Sequence, residues 1–226
     1  MVSGPASRNF PATQACRRAS DRMGGAVAVL RILLTLFWAG LSAASAPAQL
    51  LEVGVHGGQH QFSRAALGSS SSRPGAPNEY SLDGGFRLGF RMTTNSDTYW
   101  GHEFGYAYNR TQLVFDTTGQ RQGMATHQGI YNFLAYTTRE GKRVRPFATG
   151  GVHFSNFVQP GASATQGGGS TKFGINYGGG VKIRVHPMFL IRFDVRRYET
   201  PKPYPLFNRS GWIRQMEYSA GFSFFL

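Results

Sequence analysis

Residues 80–92 read YSLDGGFRLGFRM. Leu82, Phe86, Leu88, Phe90 and Met92 fall on one side of a period-two pattern; Asp83, Gly85, Arg87, Gly89 and Arg91 fall on the other. Successive side chains alternate between faces only in a β-strand, so this stretch is a strand with one apolar and one polar face. The polar face alternates charge with glycine. Small and charged residues together suit a narrow interior, where glycine makes room for long arginines. The large aromatics of the other face suit lipid.

The pattern recurs on both sides. Eight alternating stretches cover residues 51–62, 80–92, 98–115, 124–138, 144–157, 171–185, 189–199 and 212–226. In the third, Trp100, Phe104, Tyr106 and Tyr108 oppose Glu103, Gly105 and Asn109. In the sixth, Phe173, Ile175 and Tyr177 oppose Asn176, Lys182 and Arg184. In the seventh, Phe189, Ile191, Phe193 and Val195 oppose Arg192, Asp194 and Arg196. In the eighth, Met216, Tyr218, Phe222 and Phe224 oppose Gln215, Glu217, Ser219 and Ser223. No helical period runs through this region.

The connections alternate too. Those at 93–97, 139–143 and 186–188 are short; those at 63–79, 116–123, 158–170 and 200–211 are longer and rich in Gly, Ser, Pro and Asn. Short turns at one end and long loops at the other are the transmembrane-barrel pattern. About 9–11 tilted residues cross a bilayer, and every stretch is long enough. The predicted fold is all-β: an eight-stranded antiparallel up-and-down transmembrane barrel over residues 49–226. Phe86, Phe104, Ile175, Phe193 and Phe222 should face lipid.

Residues 1–48 read as a leader. Arg17, Arg18, Arg22 and Arg31 precede the apolar run 32–41 (ILLTLFWAGL), and Ala46-Pro47-Ala48 follows. This is the order of a cleaved secretory signal. Ten apolar residues fall short of the roughly 20 a spanning helix needs. Cleavage is expected after Ala48, and a start at Met23 would give a leader of ordinary length.

Composition narrows the functions. The single Cys, Cys16, lies in the leader, so thiolate metal sites and cysteine nucleophiles are excluded from the barrel region. The net charge is +13, but no Lys/Arg run is longer than a pair such as Lys142-Arg143. Nucleic-acid modules concentrate their charge, so that class is set aside. Mean hydropathy is −0.28, as expected where apolar and polar faces cancel. His56 and His60 share a face, yet two histidines do not make a metal site. The Gly178-Gly179-Gly180 run lies within a strand, opens no helix and is not a phosphate loop. Close packing explains it better. No metal, cofactor or catalytic residue is expected.

The last stretch ends Ser219-Ala220-Gly221-Phe222-Ser223-Phe224-Phe225-Leu226. It resembles the C-terminal assembly signal of outer-membrane barrels, which implies recognition by the barrel-assembly machinery. Residues 49–226 resemble the small OmpA/OmpX-type outer-membrane β-barrel domains, as do the phrases at 145–151 (RPFATGG) and 176–182 (NYGGGVK). The resemblance implies the outer membrane of a Gram-negative-type bacterium and says little about activity. His153-Phe154-Ser155-Asn156 resembles the active-site motif of outer-membrane lipid A deacylases, in which a histidine activates a serine. Here Phe157 follows, the family's Asn-Pro-Gly run is missing, and alternation turns both residues inward.

The polar faces carry Glu52, Asp83, Arg87, Arg91, Glu103, Lys182, Arg184, Arg192, Asp194, Arg196 and Glu217. Unpaired charges in a narrow lumen are costly, so these should pair. Neighbouring strands suggest Glu103 with Arg87 or Arg91, and Glu217 with Arg192 or Arg196. The leading expectation is a non-catalytic barrel, plugged by salt bridges, with a structural or surface-interaction role. Its outward loops carry Arg64, Arg73, Arg121, Lys202 and Arg209, positioned for lipopolysaccharide phosphates. The alternatives are a lipid A acyl hydrolase using His153 and Ser155, and a small-solute pore.

Overall fold

The computed structural model describes residues 50–63, 65–71, 77–95, 99–162, 169–204 and 211–226. The expected leader lies outside them. Ten strands follow in chain order: β1 (Leu50–Phe62), β2 (Ala65–Gly68), β3 (Tyr80–Asp83), β4 (Gly85–Asn95), β5 (Trp100–Phe115), β6 (Arg121–Tyr136), β7 (Val144–Val158), β8 (Ser170–His186), β9 (Phe189–Pro201) and β10 (Trp212–Phe225).

Eight of them close a ring in the order β1-β4-β5-β6-β7-β8-β9-β10 and back to β1, every pairing antiparallel. The two additional strands, β2 and β3, form a short hairpin that continues the wall outward against β5, with Tyr80 opposite Phe115. The stretch read as one strand over 80–92 is therefore two. Its partner changes at Gly84-Gly85: β4 pairs with β1 up to Gly85, whereas β3 pairs with β2 and β5. A Cβ on Gly84 would lie 2.1 Å from the His60 carbonyl oxygen. Only glycine admits a backbone so close.

Both barrel ends of the chain meet at one rim, where Leu226 N–H donates to the Leu51 carbonyl and Phe225 N–H to that of Met188. The β6–β7 turn at this rim is tight and uses Gly141 at φ +89°. The opposite rim carries the β2–β3 hairpin and the longer connections. The period-two faces fall as expected. Phe86, Phe104, Ile175, Phe193 and Phe222 all point outward and are 44–51% exposed. Arg87, Glu103, Asp194, Arg196 and Glu217 point inward and are 3% exposed or less. A wall that exposes aromatics and buries charge is inside-out for water and right for lipid.

Candidate functional site: a filled lumen

The lumen is packed in three layers. The middle one is ionic. β4 supplies Arg87 and Arg91, β9 supplies Arg192, Asp194 and Arg196, β5 supplies Glu103 and β10 supplies Glu217. Glu103 is ion-paired with Arg192 at 2.6 Å and with Arg196 at 2.7 Å. Glu217 is ion-paired with Arg87 at 3.2 Å and accepts from Arg91 at 2.9 Å. Asp194 sits between, against Arg91, Arg192 and Arg196. The Tyr198 and Ser219 hydroxyls complete the Glu217 shell, each donating at 2.6 Å.

These partners are the reverse of those expected from strand adjacency. Glu103 pairs with β9, four strands away around the ring, and Glu217 pairs with β4, beyond β1. For Glu103 the reason is cross-strand register: the residues facing it on its two neighbours are Thr93 and Asn132. Glu217 does face Arg196 across β9 and β10, but the Arg196 guanidinium is taken by Glu103 and Asp194, and the Glu217 carboxylate turns to Arg87 and Arg91. The buried arginines face glycines: Arg87 opposes Gly58, Arg91 opposes Gly54 and Gly105, Arg192 opposes Gly221, and Arg196 opposes Gly178. Each guanidinium crosses the lumen over a neighbour with no side chain. The Gly178-Gly179-Gly180 run serves the same purpose. A Cβ on Gly178 would meet Arg196 Cγ at 3.1 Å, and one on Gly180 would meet the Phe147 ring at 2.7 Å.

Towards the loops, Arg87 donates to Asn109 at 2.8 Å and also to Gln128, while Gln128 donates to Ser155 at 2.9 Å and Gln215 at 3.0 Å. Above these polar groups the inward face turns apolar. Phe62, Leu67, Leu82, Met124, Phe157 and Ile213 form a buried cluster, with Tyr204 against it. At the other rim Lys182 pairs with Glu52, and its ammonium lies 2.8 Å from the Tyr136 hydroxyl. Arg145 stacks 3.7 Å over the Tyr136 ring and pairs with Glu140, which Arg184 also reaches.

Two inward residues depart from expectation. Asp83 belongs to β3 and sits at the outer rim, half exposed, where it accepts from Arg121 at 2.9 Å. The partner change at Gly84-Gly85 lifts it out of the lumen. Arg145 is an interior charge that sequence reading missed, although it lies on the same side of β7 as Phe147 and Thr149. The apolar cap was also missed. Its signal was Phe62, next after His60 on the inward face.

His153 and Ser155 both point inward and are buried, as alternation required. They bond to different partners: His153 Nε2 to the Thr200 hydroxyl at 2.9 Å, and Ser155 to Gln128. Among the described residues no carboxylate bonds to His153, whose Nδ1 has no hydrogen-bond partner there. His60 bonds to Thr111 at 3.3 Å, and Gly89 leaves room for the His56 ring. Among the described residues no group of three His, Cys, Asp or Glu side chains is placed to hold a metal ion. Of the loop cations, Arg121 is paired with Asp83, Lys202 lies at the start of its loop, and Arg64, Arg73 and Arg209 fall outside the described residues.

A family model described as an outer membrane protein beta-barrel domain matches residues 33–224. Comparison of the sequence with curated proteins finds no match. Among solved structures, Neisserial surface protein A superposes with a TM-score of 0.54 at 14% identity, covering 77% of this chain and 96% of that one. The outer membrane protein AlkL, solved in lipid bilayers, gives 0.52 at 12% identity, covering 80% and 92%. At these identities the likeness is one of fold.

Proposed function

The chain belongs to the outer membrane protein β-barrel domain family and sits in the outer membrane of a Gram-negative bacterium; we propose that within this setting it is a closed, non-catalytic barrel that anchors surface loops. One observation carries the reading: the lumen is filled from rim to rim by the ionic layer and its apolar cap. An eight-stranded barrel is just wide enough for its side chains to fill, and here they do. A solute would have to break several buried ion pairs to pass.

The role is structural and interaction-mediating, with lipid around the wall and lipopolysaccharide at the loops. Insertion by the barrel-assembly machinery through β10 is part of the same proposal, as is removal of residues 1–48 before assembly. The hydrolase alternative is disfavoured by the separate bonding of His153 and Ser155. The test is planar-bilayer conductance of the refolded barrel. Steady unitary currents at neutral pH would replace this reading with the pore.

A further inference from the structure

Shallow grooves interrupt the apolar belt, one of them beside Gly105 and Gly129 on β5 and β6 and a larger one elsewhere on the wall. The larger, of about 660 Å³, runs along the outer wall across β1, β10, β9 and β8. Its floor is thin because Gly57 and Ala220, register partners on β1 and β10, both point outward with little or no side chain. Phe193, Val195 and Tyr218 form its walls, and exposed Gln59 places an amide among them. The size falls in the range of pockets that take small ligands.

The same wall changes character over two steps towards the loops. Val195 pairs with Tyr218, then Arg197 with Met216, then Glu199 with Arg214. Residues two apart on a strand share a face. Arg197 therefore stands directly above the groove wall, and exposed Arg214 one step further out. Arg197 Nε forms an ion pair with Glu199 at 3.1 Å, and Glu199 accepts a hydrogen bond from the Tyr177 hydroxyl at 3.2 Å. Among the described residues two guanidinium charges, of Arg197 and Arg214, stand against the single Glu199 carboxylate. An apolar trough capped by excess positive charge matches an amphiphile with acyl chains and an anionic head.

We propose that the β8–β9–β10–β1 wall is a binding site for one phosphate-bearing acyl lipid of the outer leaflet, its chain in the Gly57/Ala220 groove and its phosphate on Arg197 and Arg214. The inference rests on the outward orientation of the loops in the reading above. It assigns a site on the barrel's flank, separate from the lumen and the loop tips.

The experiment is native mass spectrometry of the barrel released from neutral detergent micelles containing diphosphorylated lipid A. The natural chain should retain one lipid. Ala220→Phe fills the groove and should lower retention about tenfold. The double change Arg197→Gln/Arg214→Gln removes charge-assisted bonds and should lower it about as much. Dephosphorylated lipid A should be retained as poorly by the natural chain as lipid A is by the double variant. Heat-modifiable gel mobility confirms that each variant is folded. Retention unchanged in the folded double variant, or equal retention of the dephosphorylated lipid, overturns the phosphate contact and the proposal. Displacement of lipid A by inorganic phosphate alone also overturns it, since an acyl-anchored lipid would not yield to the free anion. Conductance of the same samples reports on the lumen separately, so a failed lipid site and an open pore give different results.

Discussion

The guanidinium of Arg87 on β4 lies 3.2 Å from the carboxylate of Glu217 on β10, although β1 runs between their strands. The contact exists because β1 offers Gly58 at that level, opposite Arg87 on one side and Ser219 on the other. Glu217 then holds Arg87 and Arg91 together in a layer where four arginines face three carboxylates. Removing a carboxylate from such a layer leaves buried charge without compensation. Glu217→Gln should therefore destabilise the barrel by about 3–5 kcal/mol. Glu79→Gln, at the exposed base of the β2–β3 hairpin, should do far less. Urea unfolding from lipid, followed by tryptophan fluorescence and gel mobility, compares the two. Equal effects would mean a wet, open lumen.

Gly58 itself is the second test. A Cβ there would lie 2.1 Å from the Tyr218 carbonyl oxygen and 2.7 Å from Ser219 Cα. Backbone atoms cannot move aside as a side-chain tip can. Gly58→Ala should cost about 1–3 kcal/mol through overpacking. Gly150→Ala meets nothing nearer than 3.9 Å and should be close to neutral. Refolding yields into vesicles for the two variants give the comparison, and equal yields would sink the register argument.

The outward face makes the third. Phe222 is 44% exposed on β10 in the middle of the apolar belt. Phe222→Arg puts a cation into lipid and should cost about 2–4 kcal/mol. Unchanged refolding into detergent-free bilayers would show that Phe222 lies outside the hydrocarbon region.

How far the sequence led is visible in these residues. Alternation is a property of single strands, so the inward position of Arg87, Asp194 and Glu217 and the outward position of Phe222 were legible. Which charge meets which was not. Partner choice depends on the register between strands, and one strand's pattern does not encode its neighbour's phase. Glycine after arginine within 80–92 was visible; glycine opposite arginine across β1 and β4 was not. The apolar cap stayed hidden for a related reason. Phe62, Leu82, Met124, Phe157 and Ile213 come from five different strands and meet only when the ring closes. The division of 80–92 at Gly84-Gly85 needed the positions of His60 and Arg110, whose backbones approach those glycines.

The loop side of the barrel should respond to acid. Glu79 accepts from the Ser70 hydroxyl at 2.6 Å and the Ser70 N–H at 2.9 Å. These bonds favour the carboxylate and hold the Glu79 carboxyl below its ordinary value of 4.5. A depressed value means the contact is at full strength above the ordinary carboxylate range and is lost as pH falls through the folded-state value. Protection of the Ser70 amide, its exchange rate compared with the intrinsic rate at the same pH, should therefore be high at neutral pH and fall as the medium is acidified below that range. Glu79→Gln should exchange faster at neutral pH and lose the acid-dependent step. An unchanged acid step in that variant would assign the transition to another group.

The last prediction concerns chemistry at His153 and Ser155. A serine nucleophile needs its base within hydrogen-bond reach and the base oriented by a third group. Here His153 Nε2 is engaged with Thr200, and Ser155 accepts from Gln128. Both side chains lie inside the wall, 2% exposed or less, while the acyl chains of a lipid substrate lie outside it. A lipid ester could reach Ser155 only if the wall between β6 and β7 parted, and those strands are paired continuously from Ala125–Val158 to Tyr136–Phe147. Ser155→Ala and His153→Ala should leave the lipid A acylation pattern of the host as it is with the natural chain, read by mass spectrometry of extracted lipid A. The two variants should still differ in stability, because Ser155→Ala leaves the Gln128 amide short of an acceptor in a buried layer. Loss of one acyl chain with the natural protein, abolished by either substitution, would establish a hydrolase and a barrel that opens sideways between β6 and β7.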